Sequence, residues 1–206
     1  MESITRPGAA PRDGLRHRAR VLIADAAFAW AARRLPPRVA IIQIRARIRA
    51  RRSGDLFSLA SATRPPDLVR LLKLAAGCRE VVELGTGTAW TTVALAAADP
   101  RRRITSFDPV ARPERERYLE LLGADARTRI ELVPAPGDAG PGARRGVDML
   151  YIDSSHQRDD VVAEVRAWAP ALAPGALVVF DDYANPDFPG VAEAVAVLGL
   201  AGRPEG

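Results

Sequence analysis

Val81-Val82-Glu83-Leu84-Gly85-Thr86-Gly87-Thr88-Ala89-Trp90 is the stretch that decides the fold. Apolar, β-branched positions run into a turn holding two glycines, and an alanine-rich segment to Ala98 follows. Strand, glycine turn and helix in that order open a βαβ unit, because glycine lets the backbone turn sharply and approach a ligand closely. Working outward, short apolar runs alternate with helical ones. The pattern predicts strands at Val81–Leu84, Ile104–Phe107, Ile130–Val133, Asp148–Ile152 and Ala176–Phe180. Helices fill the intervals at Ala89–Ala98, Pro113–Leu122, Arg158–Trp168 and Val191–Leu198. An α/β fold follows, with a doubly wound, mostly parallel, Rossmann-like sheet whose strand carboxyl ends form a ligand crevice.

Upstream the pattern is helical. Residues 1–14, with Pro7, Gly8, Pro11 and Gly14, read as a flexible tail. Residues 15–77 read as a helical cap or oligomerisation segment, with helices at Leu15–Leu35, Arg38–Arg52 and Asp67–Ala76, and residues 78–206 as the ligand-binding domain. In the second helix Ile41, Ile44 and Ile48 form a stripe among arginines, although Ile44-Arg45-Ala46-Arg47-Ile48 also alternates as a strand would. The arginine-rich face is read as solvated or paired, with the isoleucines packed on the domain; contact with a membrane surface is not favoured.

Composition excludes several classes. At 206 residues, 48% apolar and 27% charged, the chain is long enough for one core and is not disordered as a whole. Its single cysteine, Cys78, forms no internal disulfide, zinc cluster or Cys-x-x-Cys pair, which fits a reducing, cytoplasmic setting. Val21–Ala32 is too short to span a bilayer, and Asp25 within it argues against a signal peptide. Residues 1–53 carry 13 arginines against Glu2, Asp13 and Asp25, net +10, which leaves 17 basic and 22 acidic residues, net −5, for the rest. Lys73 is the only lysine, so the basic balance reflects biased composition rather than a nucleic-acid surface.

The glycine turn is not a dinucleotide fingerprint, since Trp90 stands where a third glycine would be needed. Asp108, 21 residues after Gly87 and closing the second strand, has the spacing at which a carboxylate accepts bonds from ribose hydroxyls. An adenosine-type ligand is expected. On these residues the segment from 79 to 198 resembles the class I S-adenosylmethionine-dependent methyltransferases. The resemblance implies that Glu83, Gly85, Thr86 and Gly87 lie along the cofactor, that Asp108 binds its ribose, and that Asp138 accepts from the adenine amine. For Asp138 a plain Gly-Asp turn before Gly140-Pro141-Gly142 is an equal alternative.

Tyr151-Ile152-Asp153-Ser154-Ser155-His156 closes the fourth strand and Phe180-Asp181-Asp182-Tyr183 the fifth. Three carboxylates thus converge from neighbouring strand ends, and oxygen donors of this kind suit magnesium. The alternative is that Asp153 caps a helix and Asp181-Asp182 begin a loop. The arrangement is similar to that of metal-dependent small-molecule O-methyltransferases, including catechol-type and macrolide sugar enzymes. That resemblance implies Asp153, Asp181 and Asp182 as Mg2+ ligands, with Asp153 also catalytic, and an acceptor hydroxyl made acidic by the ion. His156 stands three residues after Asp153, where catechol-type enzymes carry a lysine, and is the candidate general base; a ligand or structural role for it stays open. Tyr183 and residues 184–189 are placed to touch substrate.

The leading expectation is an S-adenosylmethionine-dependent O-methyltransferase acting with magnesium on a small-molecule hydroxyl, without a nucleic-acid partner. RNA methylation and a peripheral membrane or polyanion-binding module built on a degenerate methyltransferase fold are the alternatives. After the helix at Val191–Leu198 only eight residues remain, so the family's C-terminal antiparallel strand pair is expected to be missing. The edge this leaves on the fifth strand would invite a partner, a homo-oligomer among them.

Overall fold

The computed structural model describes residues 12–200, with side chains from residue 19 onward. Most of the expected tail, residues 1–11, therefore lies outside the described residues, as do 201–206. In chain order the elements are α1 (Arg12–Ala32), α2 (Pro37–Ser53), α3 (Leu56–Ser61), α4 (Pro65–Leu74), β1 (Glu80–Leu84), α5 (Trp90–Ala98), β2 (Arg103–Phe107), α6 (Glu114–Leu119), α7 (Ala124–Arg127), β3 (Ile130–Val133), β4 (Val147–Ile152), α8 (Arg158–Trp168), β5 (Leu172–Phe180) and α9 (Pro189–Val197). The five strands form one parallel sheet in the order β3-β2-β1-β4-β5. The order reverses beside β1, and the crevice at that switch lies above the glycine turn.

Alternation along β1 divides the core. Val82 and Leu84 face the layer of α8, packing with Leu150, Ile152, Val165 and Trp168, whereas Val81 joins Met149 and Tyr151 on the side of α5. Helix α5 is buried along almost its whole length because α2 covers it from outside through Val39, Ile42, Ala46 and Ala50. Burial of Val39 and Ile42 contributes about 1.5–3 kcal/mol each, and that of the alanines less. The N-terminal helices thus share one core with the sheet. Strand β5 starts earlier than its apolar run suggests, at Leu172, with a register break between Val147 and Met149 where Pro174 and Gly175 bulge outward.

The isoleucine stripe departs from expectation. Ile42 turns inward and Ile44 is half-buried, but Ile41 and Ile48 are 57% and 44% exposed. Packing on α5 uses positions 39, 42, 43, 46 and 50, a face set by Gln43, whose Nε2 donates to the carbonyl of Trp90 at 3.1 Å.

Two buried charged groups hold layers together. Arg102, 2% exposed, donates to the carbonyl oxygens of Ala75 (2.5 Å), Leu95 (2.7 Å) and Cys78 (3.2 Å), closing the ends of α4 and α5. Glu83, 1% exposed, accepts from Ser106 Oγ at 2.5 Å and from Thr92 Oγ1, tying β1 to β2 and α5. Burial pushes its pKa up to about 7, against the pull of those two hydroxyls. Burial raises Glu164, on α8, to about 7 as well.

Arg102→Met strands three carbonyls and is expected to lower stability in urea by about 3 kcal/mol, with Arg102→Lys restoring less than half. An unchanged midpoint would show these bonds to be dispensable. For Glu83, the unfolded chain ionises near pH 4.5 while the folded one keeps its proton to about pH 7. Stability should therefore fall as pH rises through that window, by about 3 kcal/mol from this group, and level off above it. Glu83→Gln should flatten the fall, leaving the part due to Glu164; an identical pH profile would refute the assignment.

Candidate active site

Between β1 and α5 the chain makes a tight cradle. Gly85 sits at φ +99°, its N–H donating to Phe107 O at 2.8 Å, and a Cβ there would fall 1.8 Å from the carbonyl oxygen of Asp153. Only glycine lets the end of β1 lie against the end of β4. Thr86 Oγ1 shares a hydrogen with Ser106 Oγ at 2.7 Å. Gly87, at φ +52°, has open space where a side chain would be, so its backbone faces the cavity bare. Ala89 takes a left-handed conformation, φ +70°, to start α5.

Of the expected cofactor residues, Gly85, Thr86 and Gly87 line a cavity of about 1440 Å3 above the strand ends, and Glu83, Asp108 and Asp138 do not. Glu83 is held beneath the cradle by Thr92 and Ser106. Asp108 is 8% exposed and supports the cradle directly: it accepts from the N–H of Gly87 at 2.9 Å and of Val110 at 2.8 Å. Arg115 pairs with it at 2.6 Å and donates from Nε to Gly87 O at 2.8 Å. Nothing in the sequence singles out Arg115, which neutralises the buried aspartate and fastens the glycine turn together. Asp138 is exposed on the turn after β3, beside Gly137, whose carbonyl accepts from Trp168 Nε1 at 2.8 Å.

The opposite wall comes from β4 and β5. Asp153, Ser154, His156, Asp181, Asp182 and Tyr183 all line the same cavity as the cradle. The parallel pairing sets this, since Asp153 N–H bonds Leu84 O at 2.8 Å and Asp181 N–H bonds Ile152 O at 2.9 Å. His156 Nε2 lies 3.2 Å from Asp182 Oδ2 and 3.8 Å from Asp153 Oδ1. It is buried and unaligned for a hydrogen bond with either. The imidazole stacks on Phe188, centroids 4.1 Å apart. Asp182 adopts φ +54° and accepts from Asn185 Nδ2 at 2.7 Å, a strained backbone held by its own loop. Tyr151 Oη, 3.4 Å from Asp153 Oδ2, is a partner missed in the sequence because a strand tyrosine reads as core.

Charge is crowded here. Asp153 is pushed well above the usual carboxylate range, first by burial and then by Asp181, Glu83 and Asp182. Asp181 is raised by burial and by Asp182 and Asp67, the last from α4 on the near wall. Carboxylates that raise one another in this way are donors of the right kind for a hard cation. Among the described residues, however, no three His, Cys, Asp or Glu side chains stand in an arrangement that holds a metal ion. Asp153 and Asp182 face the imidazole rather than a shared point. Helix α3, too short to show in the sequence pattern, adds Phe57 to the rim. Its N-cap Asp55 and Ser58 reach the cradle through Ser58 Oγ, which donates to Thr88 Oγ1 at 2.7 Å. Trp90 Nε1 is buried without a partner at the same wall.

Residues 82–183 match the model of a family described as a methyltransferase domain. Among curated proteins none matches the sequence. Among solved structures, CalS11, a TDP-rhamnose 3'-O-methyltransferase of calicheamicin biosynthesis, is 25% identical with TM-score 0.51, over 68% of this chain and 76% of that one. The O-methyltransferase TomG from Streptomyces achromogenes, solved with S-adenosylmethionine, is 20% identical with TM-score 0.56, over 82% and 80%. A protein from Corynebacterium glutamicum is 17% identical with TM-score 0.58, over 77% and 80%. These last two share the fold. Among the described residues no helix is long and apolar enough to cross a membrane. The glycine cradle beside the sheet's switch point and the match over residues 82–183 agree: through that segment the chain belongs to the class I S-adenosylmethionine-dependent methyltransferases.

Proposed function

We propose that the chain methylates a hydroxyl oxygen of a small molecule, with His156 as general base. The observation that carries this reading is that one cavity is walled by the glycine cradle on one side and by His156, flanked by Asp153 and Asp182, on the other. The likeness to CalS11, named for transfer to a sugar oxygen, supports an oxygen acceptor. The lone Cys78, buried and free, fits a cytoplasmic setting.

S-adenosylmethionine, when bound, supplies an electrophilic methyl carbon on a sulfonium sulfur, whose thioether leaving group needs no acid. Gly85, Thr86 and Gly87 present backbone to it, and the bare Gly87 and the unpartnered Trp90 Nε1 are features such a ligand would use. Asp108 sets the ribose end through Gly87, and Asp138 is assigned to the adenine side. The demanding half is the acceptor, since a neutral hydroxyl is a poor nucleophile. His156 Nε2 takes the hydroxyl proton as oxygen attacks carbon, and Asp182, 3.2 Å away, stabilises the imidazolium that forms. Phe188 fixes the ring plane. Tyr183 borders the acceptor.

The reading extends to magnesium. Asp153, Asp181 and Asp182, which line one cavity, are the oxygen donors that would hold it. Such an ion would lower the pKa of the acceptor hydroxyl and cancel the mutual repulsion of the carboxylates.

Release of S-adenosylhomocysteine over a panel of sugar and phenol acceptors, together with calorimetry, tests these roles. His156→Gln should lower kcat by about 10²–10³-fold while cofactor Kd stays within about twofold; full retained turnover would remove His156 as base. Asp108→Asn should weaken cofactor binding by about tenfold. Calorimetric Mg2+ binding lost in Asp181→Asn would support the ion, whereas its absence in the unsubstituted chain would refute the ion and leave the base assignment standing.

A further inference from the structure

From Ala19 onward helix α1 has an inner face packed on the domain and an apolar outer face that is left exposed among the described residues. Val21, Asp25, Phe28 and Ala32 recur at helical spacing on the inner side, where the helix meets α2 and α4. Ala32 is fully buried, and Asp25 accepts from Arg47 Nε at 2.6 Å and Arg51 Nε at 3.2 Å. The opposite side carries Leu22, Ile23, Ala26, Ala27 and Trp30, again at helical spacing and all exposed. Leu22, Ile23 and Trp30 are 69%, 69% and 68% exposed. A helix on a protein surface ordinarily turns polar residues outward, so an outward stripe with no polar member marks a contact.

The surroundings of the stripe identify its occupant. Arg20 stands at one end and Arg33 and Arg34 at the other, all exposed, with the Arg33 guanidinium 4.8 Å from the centre of the Trp30 ring. Arg45 and Arg52, alternating with Ile41 and Ile48 on the outer side of α2, are exposed too. Asp25 is the one acid between residues 19 and 53, and Arg47 and Arg51 already hold it. A second copy pairing through this stripe in antiparallel fashion would set Arg20 of one chain against Arg33 and Arg34 of the other. Like charges would meet around the seal. A surface that is apolar within and anionic at its boundary complements the pattern: leucine, isoleucine and tryptophan enter, and guanidinium groups stay at the headgroup level.

We propose that the outer face of α1 docks the enzyme onto membranes bearing anionic lipids, leaving the cleft intact and catalytic. This differs from a degenerate module, because the face lies outside the cavity and shares no residue with it. The protein contains its own reporter. Of its three tryptophans, Trp90 and Trp168 are 4% and 0% exposed, so a change in emission on docking comes from Trp30.

The test uses the full chain with vesicles of phosphatidylcholine alone, or of phosphatidylcholine and phosphatidylglycerol in equal parts. Emission should shift to the blue with the mixed vesicles only, return on adding salt, and be unresponsive in Trp30→Phe. Leu22→Ser with Ile23→Ser should weaken co-sedimentation by about tenfold or more, and Arg33→Gln with Arg34→Gln should do the same, with far-ultraviolet circular dichroism unchanged in both. No shift with either vesicle would overturn the proposal. So would a vesicle-free dimer, seen by light scattering, in which Trp30 is already shielded from a soluble quencher.

Discussion

The contact between Gly85 and the backbone of Asp153 is the constraint on which the site depends. With no Cβ at 85, the carbonyl of Asp153 occupies the volume a side chain would need, and β1 and β4 end side by side. The N–H of Asp153 then bonds Leu84, and that of Gly85 reaches across to Phe107. Three strand ends are thereby locked at one level, which places the glycine turn and the acidic loop on facing walls of one cavity. A methyl donor and an acceptor bound there would share one cavity, and proximity of this kind supplies much of the effect in a two-reactant displacement.

Crowding charge at those strand ends has a cost that is handled in two ways. Asp108 is compensated on the spot: Arg115 pairs with it, and two backbone N–H groups share its remaining oxygen sites. Among the described residues no arginine or lysine pairs with Asp153 or Asp181, and both stand above their usual range through burial and mutual repulsion. The first arrangement makes a rigid support. The second favours a proton or a cation among the carboxylates. The acids that brace the fold and those left without a cation are thus distinguished by their partners and not by their place in the sequence.

Sheet and helices of the cofactor half were legible because their signals are local. Ile130–Val133 and Arg158–Trp168 carry the period of their element and flanking turn residues, and the structure has them at those bounds. The strand ends also told which acids would gather, since parallel pairing puts residues 153 and 181–182 at one edge. What the sequence did not disclose depends on distant partners. Helix α3 is six residues long and is held by Asp55, Tyr118 and Thr88, which no local pattern connects. Glu83 reads as a wall residue from its motif, yet the hydroxyls of Thr92 and Ser106 draw it beneath the turn. The isoleucines of α2 look like one inward stripe, but Gln43 takes an inward position and rotates two of them to solvent.

The N-terminal helices connect the fold to the cradle. Through Val39, Ile42 and Ala46 they bury α5, and through Gln43 and Ser58 they bond Trp90 and Thr88, the residues that follow the glycine turn. Their inner faces are therefore constrained by the site they support: a polar substitution at Ile42 would loosen α5 and the turn with it. No such demand acts on the outer face of α1, which contributes nothing to the core and would be more soluble if polar. Apolar side chains kept where the fold gains nothing from them need another cause, and the arginines around them restrict it to a surface of negative charge.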